Sequence, residues 1–273
     1  MSVAEIHRVA YAPGAALYVE ELGREHGDTV LFGHSLLCDG RMFADQVTDL
    51  AQDHHVLNVD FRGHGRSDAP PHPYGMVDQA EDYLRVLDTL GIERATFVGI
   101  SMGGMAALRV AIAHPDRVRA LVLIDTSAGG EEALKRARYT ALATTARLFG
   151  PRPWLTRQAS AVMFGQTFHR EHPEIVAQWE DAMGQMDRRA IALAVKMVVG
   201  REDLTRRLHA IQAPTLVIVG DEDVATPPVY AKTLSVAIPG ARLETIPMTG
   251  HLSTIERPRV LAKLIRHFVE QQA

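Results

Sequence analysis

The sequence predicts an α/β protein with a mostly parallel central sheet and helices on both faces. Three observations predict it. Short apolar runs alternate with stretches of helical periodicity along most of the 273 residues. Glycine and proline punctuate the chain where such elements start and stop. One run, 118–124 (VRALVLI), is apolar almost without interruption, as expected of a strand covered on both faces.

The elements follow in order. Residues 6–11 and 16–20 read as strands around the turn pair Pro13-Gly14. Residues 29–32 are a short apolar run that closes at Gly33, a buried strand. Residues 40–51 show helical spacing through Met42, Phe43, Val47 and Leu50. Residues 55–59 form another strand, ending at Asp60. Residues 77–90 are helical, with Tyr83, Leu87 and Leu90 on one side and Gly91 just past the end. A short strand at 95–98 leads to a helix at 102–113, which stops before Pro115. After the strand at 118–124, the alternation returns only at 215–219 (strand), 228–237 (helix), 242–246 (strand) and 258–269 (helix).

Residues 129–208 break this rhythm. They are rich in Ala, Arg, Met and Gln, with helical patterns at 134–148, 175–186 and 190–199. Ligands of open α/β sheets bind at the carboxyl ends of the strands, and this insert leaves the sheet just after such an end. We therefore expect a helical cap at 129–208 over a core made of 1–128 and 209–273.

A hydrophobic fraction of 47% supplies a substantial core, and 23% charged residues is ordinary for a globular protein. The net charge is −4 with acids and bases interspersed, which gives no reason to expect nucleic acid or an anionic membrane as partner. The expected partner is a small-molecule substrate, and self-association into a homo-oligomer is left open. Cys38 is the single cysteine and reads as a buried structural thiol, so no internal disulfide forms. The N-terminus lacks a basic stretch followed by an apolar run, and no apolar stretch reaches the length of a membrane span. The cytoplasm is the expected compartment.

The strongest chemical signal is Gly99-Ile100-Ser101-Met102-Gly103, placed between a strand and a helix. A serine in that setting sits in a tight, strained turn, and small residues two positions to either side let strand and helix pack. Its hydroxyl then stands at the carboxyl edge of the sheet. The N–H of Met102 lies at a helix N-terminus, where partial positive charge favours an oxyanion.

A serine hydroxyl needs a base. Of the thirteen histidines, His251 has the right surroundings: it follows the last strand, and Gly250 permits a sharp turn. The third group must be a carboxylate after another strand. Gly220-Asp221-Glu222-Asp223-Val224 offers three. Asp223 is the choice because it lies far enough into the loop to reach inward. Asp221 reads as a turn residue, and Asp125, after the strand at 118–124, is a rival.

These segments resemble the α/β-hydrolase fold family along nearly the whole chain outside the cap. The carrying residues are Gly33-His34-Ser35-Leu36-Leu37, Asp60-Phe61-Arg62-Gly63-His64-Gly65-Arg66-Ser67, Gly99-Ile100-Ser101-Met102-Gly103-Gly104, the loop 220–227 and Gly250-His251. The order Ser, Asp, His is the family's order. The resemblance implies a serine hydrolase with catalytic Ser101, Asp223 and His251, and a structural role for Asp60 and His64. The family usually shows His-Gly after the third strand, where this chain has His34-Ser35. The second oxyanion donor beside Met102 is then Leu36, with Ser35 as the fallback. Ser35-Leu36 is similar to a loop of 3-oxoadipate enol-lactonases.

The expected activity is cofactor-independent hydrolysis of a small ester, lactone or thioester through an acyl-enzyme. The fold resemblance also admits C–C bond hydrolases, hydroxynitrile lyases, cofactor-free haloperoxidase-like enzymes and non-enzymatic receptors. Ser35, Trp154, Met163, Phe164 and Leu252 are candidate substrate contacts, and Trp179 could join them. Packing within the cap is the competing role for the cap residues. No metal site is expected: His169 and His172 lie three apart without a third ligand.

Overall fold

A computed structural model describes residues 4–272. The strands are β1 (Glu5–Ala12), β2 (Ala15–Leu22), β3 (Thr29–Gly33), β4 (His55–Asp60), β5 (Ala95–Ile100), β6 (Val118–Ile124), β7 (Thr215–Gly220) and β8 (Arg242–Ile246). They form one sheet in the order β1-β2-β4-β3-β5-β6-β7-β8. The β1–β2 and β2–β4 pairs are antiparallel, and every later pair is parallel.

The core helices are α1 (Ala44–Leu50), α2 (Met76–Leu90) and α3 (Met102–Ala113). Five helices lie between β6 and β7: α4 (Ala133–Phe149), α5 (Pro153–Met163), α6 (Gln166–Glu171), α7 (Pro173–Gly184) and α8 (Arg188–Val199). The last three are α9 (Pro228–Ala237), α10 (Ser253–Glu256) and α11 (Pro258–Glu270).

Strand alternation sends successive side chains to opposite faces. Leu31, Leu57, Phe97 and Leu121 face Tyr83, Leu87 and Leu108 on one side of the sheet. Val30, Val56, Val98 and Val122 face Leu50, Leu261, Ile265 and Phe268 on the other. The inner strands are buried on both sides, which is why β6 reads as a continuous apolar run.

Two departures from the expected elements have local causes. The helix expected at 40–51 is split, with a 3₁₀ turn at Gly40–Phe43 before α1. Asp39 caps that turn by accepting from the Arg41 N–H, and Gly40 N–H donates to Asp60 Oδ1 at 2.7 Å. The second departure is α5 and α6, which periodicity did not reveal. Thr156 and Ser160 sit on the buried side of α5, so its apolar stripe is broken.

The glycine-dependent segment after β4 holds the loops at this end of the sheet. Asp60 accepts from Gly40 N–H and from the Arg66 main chain and side chain. A Cβ at Gly65 would lie 2.3 Å from Asp60 Oδ2. Among the described residues, no helix is long and apolar enough to cross a membrane.

Candidate active site

Four parallel strands end side by side, and their C-terminal loops carry the candidate residues. Ser101 follows β5, Asp125 follows β6, Asp223 follows β7 and His251 follows β8.

Ser101 has φ 49° and ψ −112°, a strained conformation for any residue with a Cβ. The neighbouring glycines make the turn physically accessible. A Cβ on Gly99 would lie 2.5 Å from the carbonyl carbon of Gly103, and one on Gly103 would lie 2.0 Å from the carbonyl oxygen of Gly33. Ser101 N–H donates to Ile124 O at 2.9 Å, and Thr126 Oγ1 donates to Ser101 O at 2.7 Å. The backbone is thus clamped while Ser101 Oγ, which makes no hydrogen bond among the described residues, opens onto a cavity.

His251 is buried and lines the same cavity. Its Nδ1 lies 2.9 Å from Asp223 Oδ2 and 3.2 Å from Thr226 Oγ1. An ionised Asp223 can only accept, so Nδ1 carries the proton and Nε2 keeps a free lone pair. Asp223 is itself fixed: it accepts from Ala225 N–H at 2.8 Å, Thr226 N–H at 2.9 Å and Thr226 Oγ1 at 2.8 Å. Burial works against the charged imidazolium. The adjacent Asp223 carboxylate, with Asp125 and Glu256 beyond it, outweighs burial and holds the ring's pKa above the usual histidine value.

Asp125, the rival acid, does not bond the ring. Its carboxyl accepts from Gly220 N–H at 2.9 Å and pairs with Ser253 Oγ at 2.5 Å. It is fully buried, and burial followed by the nearby Asp223 raises its pKa well above the usual carboxylate range. Asp221 accepts from Thr249 N–H and stays at the surface.

The two candidate oxyanion donors approach from different loops. Met102 is the first residue of α3, where the N–H has no intrahelical acceptor. His34 Nδ1 bonds Ser35 O at 2.7 Å, while Nε2 accepts from Phe61 N–H at 2.9 Å. This buried, neutral ring sets the path of the loop, and Gly103 N–H donates to His34 O at 3.1 Å, tying the loop to the elbow. Ser35 N–H is turned toward Met42 Sδ at 3.4 Å, whereas Leu36 N–H has no acceptor among the described residues. Ser35 and Leu36 both line the cavity.

The cavity is about 210 Å³. Its floor is Ser101, His251 and the loop of Leu36, and its walls are mostly apolar residues of α4, α5 and α8, among them Leu142, Leu155, Met163, Ile191 and Val195. Of the expected pocket residues, the structure places Ser35 and Met163 on the cavity. It does not place the others there. Trp154 is 47% exposed on the outside of α5. Phe164 is stacked on Phe168, ring centroids 5.5 Å apart, within the core, because its residue lies past the end of α5 where the chain turns inward. Leu252 is buried in the same core cluster, and Trp179 packs against it under the Arg41 guanidinium.

Sequence reasoning missed the bridging roles of two acids. Glu256 is buried and accepts from Gly250 N–H at 2.7 Å and from Gly165 N–H, bridging the His251 loop to the segment after α5. Glu222 accepts from Thr167 N–H at 2.8 Å and Thr167 Oγ1 at 2.5 Å, bridging the Asp223 loop to α6. Each bonds a backbone group of the insert that is distant in sequence, which leaves no local pattern. At the neck of the insert, Arg201 donates to Gly129 O and pairs with Glu131 at 3.0 Å.

Other polar groups are accounted for. Cys38 is buried, and burial pushes its thiol well up. Burial lowers His64 to about 3, so it stays neutral. Among the described residues, Glu5, His7 and Glu21 bring possible ligand atoms within 4.8 Å of one another, but Glu21 is already bonded to His7 and His55 and lies 3.6 Å from Arg24.

A strained serine elbow, a carboxylate-held histidine and a cavity above them on a mostly parallel sheet define the α/β-hydrolase class. The sequence profile described as alpha/beta hydrolase fold matches residues 28–258, and the chain belongs to that family. It is a hydrolase. It is similar to a putative carbamate hydrolase RutD of Pseudomonas savastanoi pv. phaseolicola, 30% identical over 263 residues, covering 91% of this chain and 96% of the relative. It is also similar to two solved structures. One is a thermophilic esterase from Thermogutta terrifontis, with TM-score 0.90, 28% identity, and coverage of 100% of this chain and 99% of that one. The other is an enol-lactonase from Burkholderia xenovorans, with TM-score 0.88, 31% identity, and coverage of 96% and 99%.

Proposed function

We propose that this chain is a cofactor-independent serine hydrolase that cleaves a small ester, lactone or thioester through an acyl-enzyme. The observation that carries the reading is the sharing of one cavity by Ser101 and by His251, whose Nδ1 is bonded to Asp223.

Ser101 Oγ attacks the substrate carbonyl carbon as its proton passes to His251 Nε2. The carbonyl electron pair moves to oxygen, and the N–H groups of Met102 and Leu36 receive the oxyanion. The intermediate collapses, and the leaving group takes the proton from His251 Nε2. Water then attacks the acyl-serine with its proton going to Nε2. Collapse releases the acid and returns the proton to Ser101. Asp223 keeps the imidazole in the productive tautomer and stabilises its cation. No hydrogen bond joins Ser101 Oγ to His251 among the described residues, and such catalytic bonds commonly tighten only in the complex with substrate.

The insert acts as a cap in this reading, and its apolar walls favour an acyl or aromatic substrate. The names of the relatives, an esterase, an enol-lactonase and a putative carbamate hydrolase, agree with hydrolysis of this broad kind. The test is mass spectrometry of the intact chain after brief exposure to a panel of esters, lactones and thioesters. The expected result is an acyl adduct on Ser101 that decays with turnover. Turnover by Ser101→Ala at the wild-type rate overturns the reading.

A further inference from the structure

The exposed sides of α4 and α5 fall within residues 133–170, the longest stretch of the chain without an acid. Every charged side chain within these two helices and their junction is basic: Lys135, Arg136, Arg138, Arg147, Arg152 and Arg157. None of the six forms an ion pair among the described residues, although the chain as a whole carries −4. Large apolar side chains stand out among them. Leu134 is 83% exposed, Leu148 and Phe149 are each 62% exposed, and Trp154 is exposed beside them in sequence.

The spacing aligns the exposed leucines of α4, with Arg136 and Arg147 to one flank. At about 100° per residue, Leu134, Ala141 and Leu148 fall on one stripe of α4, opposite the buried Ala143. Arg138 borders that stripe, and it also lines the cavity above Ser101. Phe149 and Trp154 bracket the bend between the helices. A globular surface seldom leaves such residues unpartnered together. A second copy of this chain would bring two sets of unpaired cations face to face. A partner that is apolar inside and negative outside matches both features.

We propose that the α4–α5 face docks on an anionic lipid surface, with Phe149, Trp154 and the Leu134–Leu148 stripe inserted at the headgroup level and the arginines on the lipid phosphates. The docked face presents the Arg138 side of the cavity to the lipid layer. The overall negative charge hides this local positive face, which is why composition alone gave no sign of it. The docking does not depend on the catalytic reading, because its readout is binding.

The test is co-sedimentation of the full chain with phosphatidylcholine vesicles made with or without phosphatidylglycerol. The expected result is sedimentation with the anionic vesicles only, released by salt. Reversing three charges (R147E, R152E and R157E together) should weaken binding at least ~10-fold. Leu148→Ser with Phe149→Ser should weaken it as well. Hydrolysis of a soluble ester and thermal midpoint should stay unchanged in both variants. Equal binding to both vesicles, or to neither, overturns the proposal. So does a concentration-dependent dimer, dispersed by the Leu148/Phe149 change, with no vesicle binding: the occupant is then a second copy.

Discussion

Two carboxyl groups lie near one imidazole, and their bonding sets different expectations for each. Asp223 holds His251 Nδ1 at 2.9 Å, so Asp223→Asn should cut turnover by about 10⁴, because the amide can present its NH₂ to the ring and favour the wrong tautomer. Asp125→Asn should retain most activity. Its Oδ1 can still accept from Gly220 N–H, and its NH₂ can donate to Ser253 Oγ, the hydroxyl that donates to Asp125 in the unaltered chain. Steady-state rates of the two variants check this, and swapped outcomes would make Asp125 the orienting acid. The ring also fixes a pH dependence. With His251 as the proposed base, the ring must be neutral to act, so kcat/KM should rise with pH. Its pKa is raised, so the midpoint should lie above the ordinary ~6.5, and it should fall in Asp223→Asn. A wild-type midpoint below ~6.5 contradicts the Asp223 carboxylate as the source. At this scale the sequence announced Ser101, Asp223 and His251 through glycines and strand ends. The bridging roles of Glu222 and Glu256 stayed hidden, because each reaches a group of the insert more than fifty residues away.

Among the elements, the ones that carry the site were the most legible. The ranges 102–113, 118–124, 228–237 and 242–246 coincide with α3, β6, α9 and β8. Each is bounded by a glycine, a proline or a change of period. The insert was less legible, since α5 buries Thr156 and Ser160 where an apolar residue would have marked its inner face. The pocket assignments suffered for the same reason. Trp154 and Phe164 flank α5, but one points to solvent and the other into the core. Phe164→Ala should therefore cost about 3–5 kcal/mol of stability, as loss of a buried ring does. Trp154→Ala should leave both stability and substrate preference for soluble esters intact. Met163→Ala should shift that preference, because Met163 faces the cavity. Thermal melts with a chain-length series of esters separate the three. The insert is also tied to the loops of Asp223 and His251. Thr167→Val removes one of the two bonds to Glu222 and should cost about 1 kcal/mol, read as a lowered thermal midpoint.

Across the whole molecule, ionisable groups are buried unevenly, and that imbalance makes stability depend on pH. At the carboxyl end of the sheet, Asp125, Glu256 and His251 all have raised pKa values, the two acids chiefly through burial and the histidine through its carboxylates. A group that binds its proton more tightly in the folded state stabilises fully below its unfolded pKa and loses that contribution as pH rises through its folded one. For the two acids the loss begins near ~4, and for His251 near ~6.5. Glu21, Asp39 and Glu222 act the other way: burial raises the first two, but hydrogen bonds and cations leave all three lowered. Their contribution is present above ~4 and is lost as pH falls below it. Stability should therefore peak in the mildly acidic range and decline toward neutral pH. Asp125→Asn isolates the contribution of this buried acid, because an amide cannot ionise. Its thermal midpoint, relative to wild type, should climb steadily as pH rises from ~4.5 to ~8. Parallel curves over that range would mean that folding leaves the Asp125 proton as loosely held as in the unfolded chain, and that burial does not raise its pKa.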